Sequence, residues 1–282
     1  MPVPPQDNAL LGCHSLDIAV EHCVLVEQLT LNLPAGSITA VLGRNGTGKS
    51  LTLHTLAGLR PYPAGCIQLQ SRLLSEYKRR DIAKRLSFVP QDFEEPFPVS
   101  VLECAVSGRH PHIDFWQWES PQDYELARAA LTAVDLNDFA DRSVATLSGG
   151  ERRRLAIATA LTQAPQIFIL DEPTNGLDPQ GIADIRNLIR SLSKDQGKTV
   201  IVSSHLLAEI EQVATRLLII DKGRKVVEGP LQELLDPDHV SLEVDTSDND
   251  GSMRFLSEGN WGSGLERTPA GRIRLTMESA RV

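Results

Sequence analysis

The run Gly43-Arg44-Asn45-Gly46-Thr47-Gly48-Lys49-Ser50 constrains this chain more than any other feature. It fits G-x-x-x-x-G-K-[ST], a pattern with chemical meaning only between a strand and a helix. Both are expected here. Ser37–Leu42 reads as a buried strand, and Leu51, Leu53, Leu56 and Leu59 begin a helix that Pro61 stops. Glycines let successive backbone N–H groups turn inward on an anion, and the helix N-terminus adds partial positive charge. Residues Gly43 to Leu51 are therefore expected to cradle phosphate, with Lys49 on the terminal phosphates and the Ser50 hydroxyl on Mg²⁺.

Two further constellations carry chemistry. Ile167-Phe168-Ile169-Leu170 is a continuous apolar run, read as a buried strand, and it ends in Asp171-Glu172. In a parallel sheet ligands bind at that end of the strands. Asp171 is the expected Mg²⁺ residue, directly or through water, and Glu172 the residue that orients or deprotonates an attacking water. Leu147-Ser148-Gly149-Gly150-Glu151 has the spacing of a capping box ahead of Leu155, Ala156 and Ala160. It makes a second helix N-terminus beside glycines, and one chain rarely needs two such sites for one nucleotide unless two chains share it.

Along the chain the apolar pattern changes twice. Residues 22–42, with a turn at Pro34-Ala35-Gly36, suggest an antiparallel hairpin leading into the Gly43 loop. Cys66–Leu69 and Leu86–Val89 are further strands. Helical signals dominate from about 91 to 164. There Ser120 is the expected N-cap of a helix with Pro121 at its first position, and Leu126, Ala130, Ala133 and Val134 form its apolar face. Strand character returns at 167–170, 199–202 and 217–220, with a helix marked by Ile182, Ile185, Leu188, Ile189 and Leu192 between the first two. The fold class is α/β, a mostly parallel sheet with an antiparallel β subdomain at the N-terminus and an α-helical insert. We place the main domain at 1–235 and a small α+β extension at 236–282. The extension carries strands near 240–244 and 272–276 around a short helix at Met253–Leu256.

At 41% hydrophobic and 23% charged the chain has a globular composition, and its net charge of −9 argues against a nucleic-acid partner. Cys13, Cys23, Cys66 and Cys104 lack C-x-x-C spacing and read as reduced thiols. No apolar run approaches bilayer-spanning length. Lys78-Arg79-Arg80 and Arg152-Arg153-Arg154 are candidates to meet a partner or lipid headgroups, although such triplets are more often solvated helix faces. Phe115-Trp116-Gln117-Trp118 reads equally as interface anchor or local packing.

Taken together, these motifs resemble the nucleotide-binding subunit of ATP-binding cassette (ABC) transporters, over residues 20–235. The P-loop is 43–50, the Q-loop glutamine Gln91, the signature Leu147–Glu151, the Walker B strand ends at Asp171, the D-loop is Asn175-Gly176-Leu177-Asp178 and the switch histidine is His205. The resemblance implies a P-loop NTPase core that hydrolyses ATP with Mg²⁺. It implies catalytic roles for Glu172, His205, Gln91 and Lys49, and metal contacts from Ser50, Gln91 and Asp171. It implies a head-to-tail pair with a second copy or a paralogue, whose Ser148, Gly149 and Gly150 complete each nucleotide site, and a nucleotide contact from Asp178 of the D-loop. Integral membrane transporter subunits, with or without a substrate-binding protein, and the cytoplasmic face of the membrane complete the expected setting. The family's adenine-stacking aromatic has no counterpart at Ala19-Val20-Glu21-His22, which leaves His14, His22 or aliphatic residues for that role.

The cargo signs are mixed. Leu86–Gln91 followed by Gly108-Arg109-His110-Pro111-His112 resembles importers of iron-siderophore, haem and cobalamin. Asn175–Pro179, Ser203-Ser204-His205-Leu206 and the strand-bearing tail resemble ABC-2-type exporters. The helical insert meets the membrane partner, so the expectation leans to metal-chelate import. Export is the alternative, and a soluble regulatory ATPase the lesser one.

Overall fold

The computed structural model describes residues 9–21, 23–91, 98–235, 240–244, 253, 264–267 and 273–277. The chain divides into two compact units, Met1–Pro230 and Leu231–Val282.

The first unit begins with an antiparallel sheet. β1 (Ala9–Val20) pairs with β2 (Cys23–Pro34), and β4 (Ala64–Leu69) pairs with β1 on its other edge, followed by β5 (Arg72–Leu73). The hairpin expected within residues 22–42 does not form, because β2 and β3 lie in different sheets. β2 folds back on β1, whereas the Pro34–Gly36 turn, with Gly36 at φ +71°, carries the chain to a second sheet. That sheet has the order β10-β9-β3-β8-β7-β6, from β3 (Ile38–Leu42), β6 (Leu86–Val89), β7 (Ile167–Leu170), β8 (Thr199–Ser204), β9 (Arg216–Asp221) and β10 (Arg224–Pro230). Its neighbours run parallel except the β9–β10 hairpin. All residues of β3, β7 and β8 are buried, as expected of strands covered on both faces. Helices α1 (Lys49–Leu56), α2 (Arg79–Ala83), α6 (Pro179–Lys194) and α7 (Leu207–Ile210) accompany these strands.

Between β6 and β7 the described residues are helical: α3 (Val101–Ser107), α4 (Pro121–Ala133) and α5 (Gly149–Thr162), with short 3-10 turns. Ser100, Ser120 and Ser148 each close a capping box at the start of these helices. A separate apolar cluster holds the three together, including Val101, Leu131, Val134 and Leu155. The buried residues of α4 are Asp123, Ala127, Ala130 and Leu131, with Val134 just beyond; of the expected face Ala130 and Val134 are buried, whereas Leu126 and Ala133 are exposed. Ala127 and Leu131 join Ala130 and Val134 in the apolar cluster, so the buried side is shifted by about one residue. Asp123 turns inward because Arg109 Nε donates to its Oδ1 at 2.7 Å.

The second unit begins with α8 (Leu231–Leu234) and contains a three-stranded antiparallel sheet, β11 (Val240–Val244), β13 (Ile273–Met277) and β12 (Gly264–Arg267), in the order β11-β13-β12. Strand β12 was not expected. Most of the expected Met253–Leu256 helix lies outside the described residues. Among the described residues no helix is long and apolar enough to cross a membrane.

Candidate functional site

The loop between β3 and α1 is shaped by close approaches. A Cβ on Gly43 would meet the Ile220 carbonyl oxygen at 2.5 Å and Thr47 Oγ1 at 2.6 Å, so only glycine fits there. Gly46 and Gly48 have φ of +82° and +94°, a region that L side chains avoid. Thr47 Oγ1 donates to the Arg44 carbonyl at 2.8 Å and closes the turn. Helix α1 starts at Gly48 without a side-chain cap. Its first N–H groups therefore face the hollow in need of an acceptor.

A cavity of about 530 Å³ opens on this loop, lined by Leu25, Asn45, Gly46, Gly48, Lys49, Ser50, Leu51, Gln91, Glu172, Asn175 and His205. Three strand ends bring these groups together: β3 through the loop, β6 through Gln91 and β7 through Glu172. His205 follows β8 directly. Lys49 is buried, its Nζ donating to the Gly43 carbonyl at 2.8 Å and the Arg44 carbonyl at 3.2 Å. Lys49 Nζ also lies 3.5 Å from Glu172 Oε1, and His205 Nδ1 lies 3.4 Å from Glu172 Oε2. Glu172 is thus a buried carboxylate between a cation and an imidazole, on a backbone at φ +42°. That left-handed conformation is costly for a residue with a Cβ and is held by its neighbours.

Both neighbours fall in motifs named from the sequence, but neither was expected to hold the site together. Ser203 Oγ accepts from the Glu172 N–H at 2.8 Å and donates to Asp171 Oδ1 at 2.6 Å. One hydroxyl thereby fixes both acids at the end of β7. Arg153, only 6% exposed, donates to the Pro90 carbonyl and, at 3.3 Å, to the Glu172 carbonyl. The arginine triplet at 152–154 is therefore not simply a solvated face. Its middle member ties α5 to the residue before Gln91 and to Glu172. No local pattern marks these roles of Ser203 and Arg153, because they exist only across elements. Asn175 and Leu25 also line the cavity. Leu25 is the aliphatic wall near the loop, whereas His14 sits on β1 opposite Cys66 and is not part of the lining. His22 lies outside the described residues.

The structure gathers Asn45, Gly46, Gly48, Lys49, Ser50, Leu51, Gln91, Glu172 and His205 at one cavity, with Asp171 at the next position along from Glu172. It does not bring Ser148, Gly149, Gly150 or Asp178 there. Ser148, Gly150 and Asp178 share a different hollow of about 210 Å³ with Glu151, Leu177 and Gly181. Ser148 Oγ accepts from the Glu151 N–H at 3.3 Å, and Glu151 Oε2 accepts from the Ser148 N–H at 2.7 Å. The Ser148 N–H holds the Glu151 carboxyl below its ordinary pKa. Asp178 caps α6 through the Gly181 N–H at 2.9 Å. Gly149 stands open, with nothing within 4 Å of the position of a Cβ.

Comparison with known proteins gives the family. The family model described as ABC transporter matches residues 26–175. The iron(3+)-hydroxamate import ATP-binding protein FhuC of Bacillus subtilis is 33% identical over 81% of this chain and 85% of its own length. The manganese transport system ATP-binding protein MntB of the same organism is 33% identical over 81% of this chain and 86% of its own. A solved ABC transporter assigned to the metal-chelate type, in an inward-facing conformation, superposes with a TM-score of 0.72 at 29% identity, covering 85% of this chain and 94% of that one. The chain belongs to the ABC transporter family and is an ATP-binding, ATP-hydrolysing subunit of such a transporter.

Proposed function

We propose that the chain drives import of a chelated metal by hydrolysing ATP at the cytoplasmic face of a membrane, paired with a second cassette and with integral transporter subunits. The convergence of Lys49, Ser50, Gln91, Glu172 and His205 on one cavity carries the hydrolytic half of this reading. Relatives named for iron-hydroxamate import and manganese transport support the cargo class.

In this reading the uncapped N–H groups of α1 and the Lys49 ammonium bind the terminal phosphates of ATP. Glu172 takes a proton from the attacking water, and Gln91 and His205 position that water and the γ-phosphate. Negative charge that develops in the transition state is met by Lys49 and the loop amides. Ser50, Asp171 and Gln91 form an all-oxygen donor set, which suits Mg²⁺, and Ser203 holds the Asp171 carboxylate in one orientation. Mg²⁺, when bound, neutralises charge on the phosphates. Leu25 supplies an apolar wall for adenine in place of an aromatic ring.

The separate hollow at Ser148–Glu151 supports pairing. It lies apart from the lining of the chain's own P-loop cavity, and with Gly149 open it is suited to the phosphates held by a partner. Gln91 then links the nucleotide to the integral subunits. The experiment is affinity isolation from gently solubilised membranes, with mass spectrometry of co-purifying proteins. An integral partner together with a soluble metal-chelate-binding protein is the expected result. An integral partner without a binding protein that supports efflux turns the reading to export, which the Ser203–Leu206 motif favours. Isolation without any integral partner refutes the transporter assembly.

A further inference from the structure

We propose that the loop Asp114–Trp118, together with the basic residues of α2, is a bilayer-interface anchor that takes anionic phospholipid headgroups. Phe115, Trp116 and Trp118 are 86%, 89% and 89% exposed, the most exposed of the large apolar side chains among the described residues. The loop that carries them is held in place. Arg80 donates to the Pro111 carbonyl at 2.8 Å and the Ile113 carbonyl at 2.7 Å, and it pairs with Asp114 at 3.0 Å. The Gln117 N–H closes a turn on the Asp114 carbonyl at 2.8 Å, and the rings of Phe115 and Trp116 meet edge to face at 4.9 Å. The turn is therefore held in place, and it presents three exposed aromatic side chains, two of them packed on each other.

The chemistry of the surroundings selects the occupant. Arg80 brings the exposed Lys78 and Arg79 alongside the aromatic loop. Apart from Arg109, which pairs inward with Asp123, segments 72–85 and 109–119 hold six Lys and Arg against four Asp and Glu, on a chain whose net charge is −9. An acidic protein is repelled by an anionic membrane, so contact requires a local cationic face of this kind. Tryptophan beside Lys and Arg is the composition of membrane–water interfaces, where the ring lies at headgroup depth and the cation meets phosphate. Here the aromatics project from a turn. This inference deepens the peripheral location proposed above and rests on it, but lipid binding by the isolated chain and co-isolation with an integral protein are read separately, so either can fail alone.

The test uses the full-length chain with Trp261→Phe, so that emission comes from Trp116 and Trp118, the remaining tryptophans. It is mixed with phosphatidylcholine vesicles with or without phosphatidylglycerol. The expected result is co-sedimentation and a blue-shifted emission with the anionic vesicles only. Trp116→Ala/Trp118→Ala should weaken binding about tenfold or more. Removing the charge of Lys78 and Arg79 should cost about fivefold each. ATP hydrolysis by these variants should match wild type and so report intact folding. No association above the phosphatidylcholine control overturns the proposal, as does association that survives both sets of substitutions. Loss of integral-partner co-isolation in the tryptophan variant, with no vesicle binding by the parent chain, also overturns it and assigns the loop to a protein contact.

Discussion

The P-loop and the Ser148–Glu151 loop both place glycines at the start of a helix, yet they solve the helix N-terminus in opposite ways. Helix α1 begins at Gly48 with no side-chain cap, and its loop is braced by contacts that only glycine permits. Helix α5 caps itself, Ser148 and Glu151 each satisfying a backbone N–H of the other. A buried ammonium, a buried carboxylate and an imidazole converge on the first. The second is exposed and has no such set around its hollow. A helix whose end must be finished by a ligand belongs to the primary binding site. A self-capped helix keeps its shape without one, and it can wait for a nucleotide carried by another chain.

The largest expected effect separates chemistry from binding. Glu172→Gln should lower turnover by about 10²–10⁴-fold while ATP affinity is retained, measured by steady-state hydrolysis and by nucleotide titration. Near-normal turnover would remove Glu172 from the role of base. Lys49→Ala should weaken ATP binding by roughly 10–150-fold, the equivalent of about 1.5–3 kcal/mol for a charge-assisted phosphate contact. The comparison is sharpened by Ser148→Ala, which should leave ATP affinity of the single chain unchanged. An equal loss in both variants would erase the distinction between the two loops.

Much of the P-loop side was legible in the sequence because its chemistry is local. The spacing within 43–50 and the acids ending an apolar run are read along one stretch of chain, and the strand–loop–helix context follows from neighbouring residues. What connects the parts was not legible. Ser203 matters because β8 lies beside β7, and Arg153 because α5 crosses the ends of β6 and β7. Period alone placed the face of α4 about one residue off, since Ala127 and Leu131, with the Arg109–Asp123 pair beside them, are buried in place of Leu126 and Ala133. The hairpin expected within residues 22–42 was an error, because a Pro-Gly turn marks where a strand ends, not which strand it pairs with.

Arg153 joins the two regions, and its replacement tests that joint. Arg153→Met leaves the carbonyls of Pro90 and Glu172 without this donor and should destabilise the fold by about 1–3 kcal/mol. It should also lower kcat more than it changes KM for ATP, with partial recovery in Arg153→Lys. A change in melting temperature with unaltered kcat would reduce Arg153 to a packing role.

The smallest effect lies in the helical segment. Hydrogen bonds from the Ser120 side chain, then from Arg109, hold the Asp123 carboxyl at a pKa of about 2, against an ordinary 3.8. Because the folded value is the lower one, the unfolded chain binds more protons in that window. The stabilisation is complete above the ordinary value and is lost as pH falls from 3.8 towards 2. Asp123→Asn should cost about 1 kcal/mol near neutral pH, seen by denaturant unfolding, and the difference from wild type should vanish in acid. A difference that persists at low pH would assign the effect to packing rather than charge.

The central claim is that each nucleotide is finished by another chain, and sedimentation velocity of Glu172→Gln with and without Mg-ATP tests it most directly. The account predicts a dimer that forms only with ATP and is abolished by adding Ser148→Arg, while the monomer of that double variant still binds ATP. A Glu172→Gln chain that stays monomeric when saturated with ATP, or a Ser148→Arg change that removes monomer binding as fully as Lys49→Ala, would contradict it.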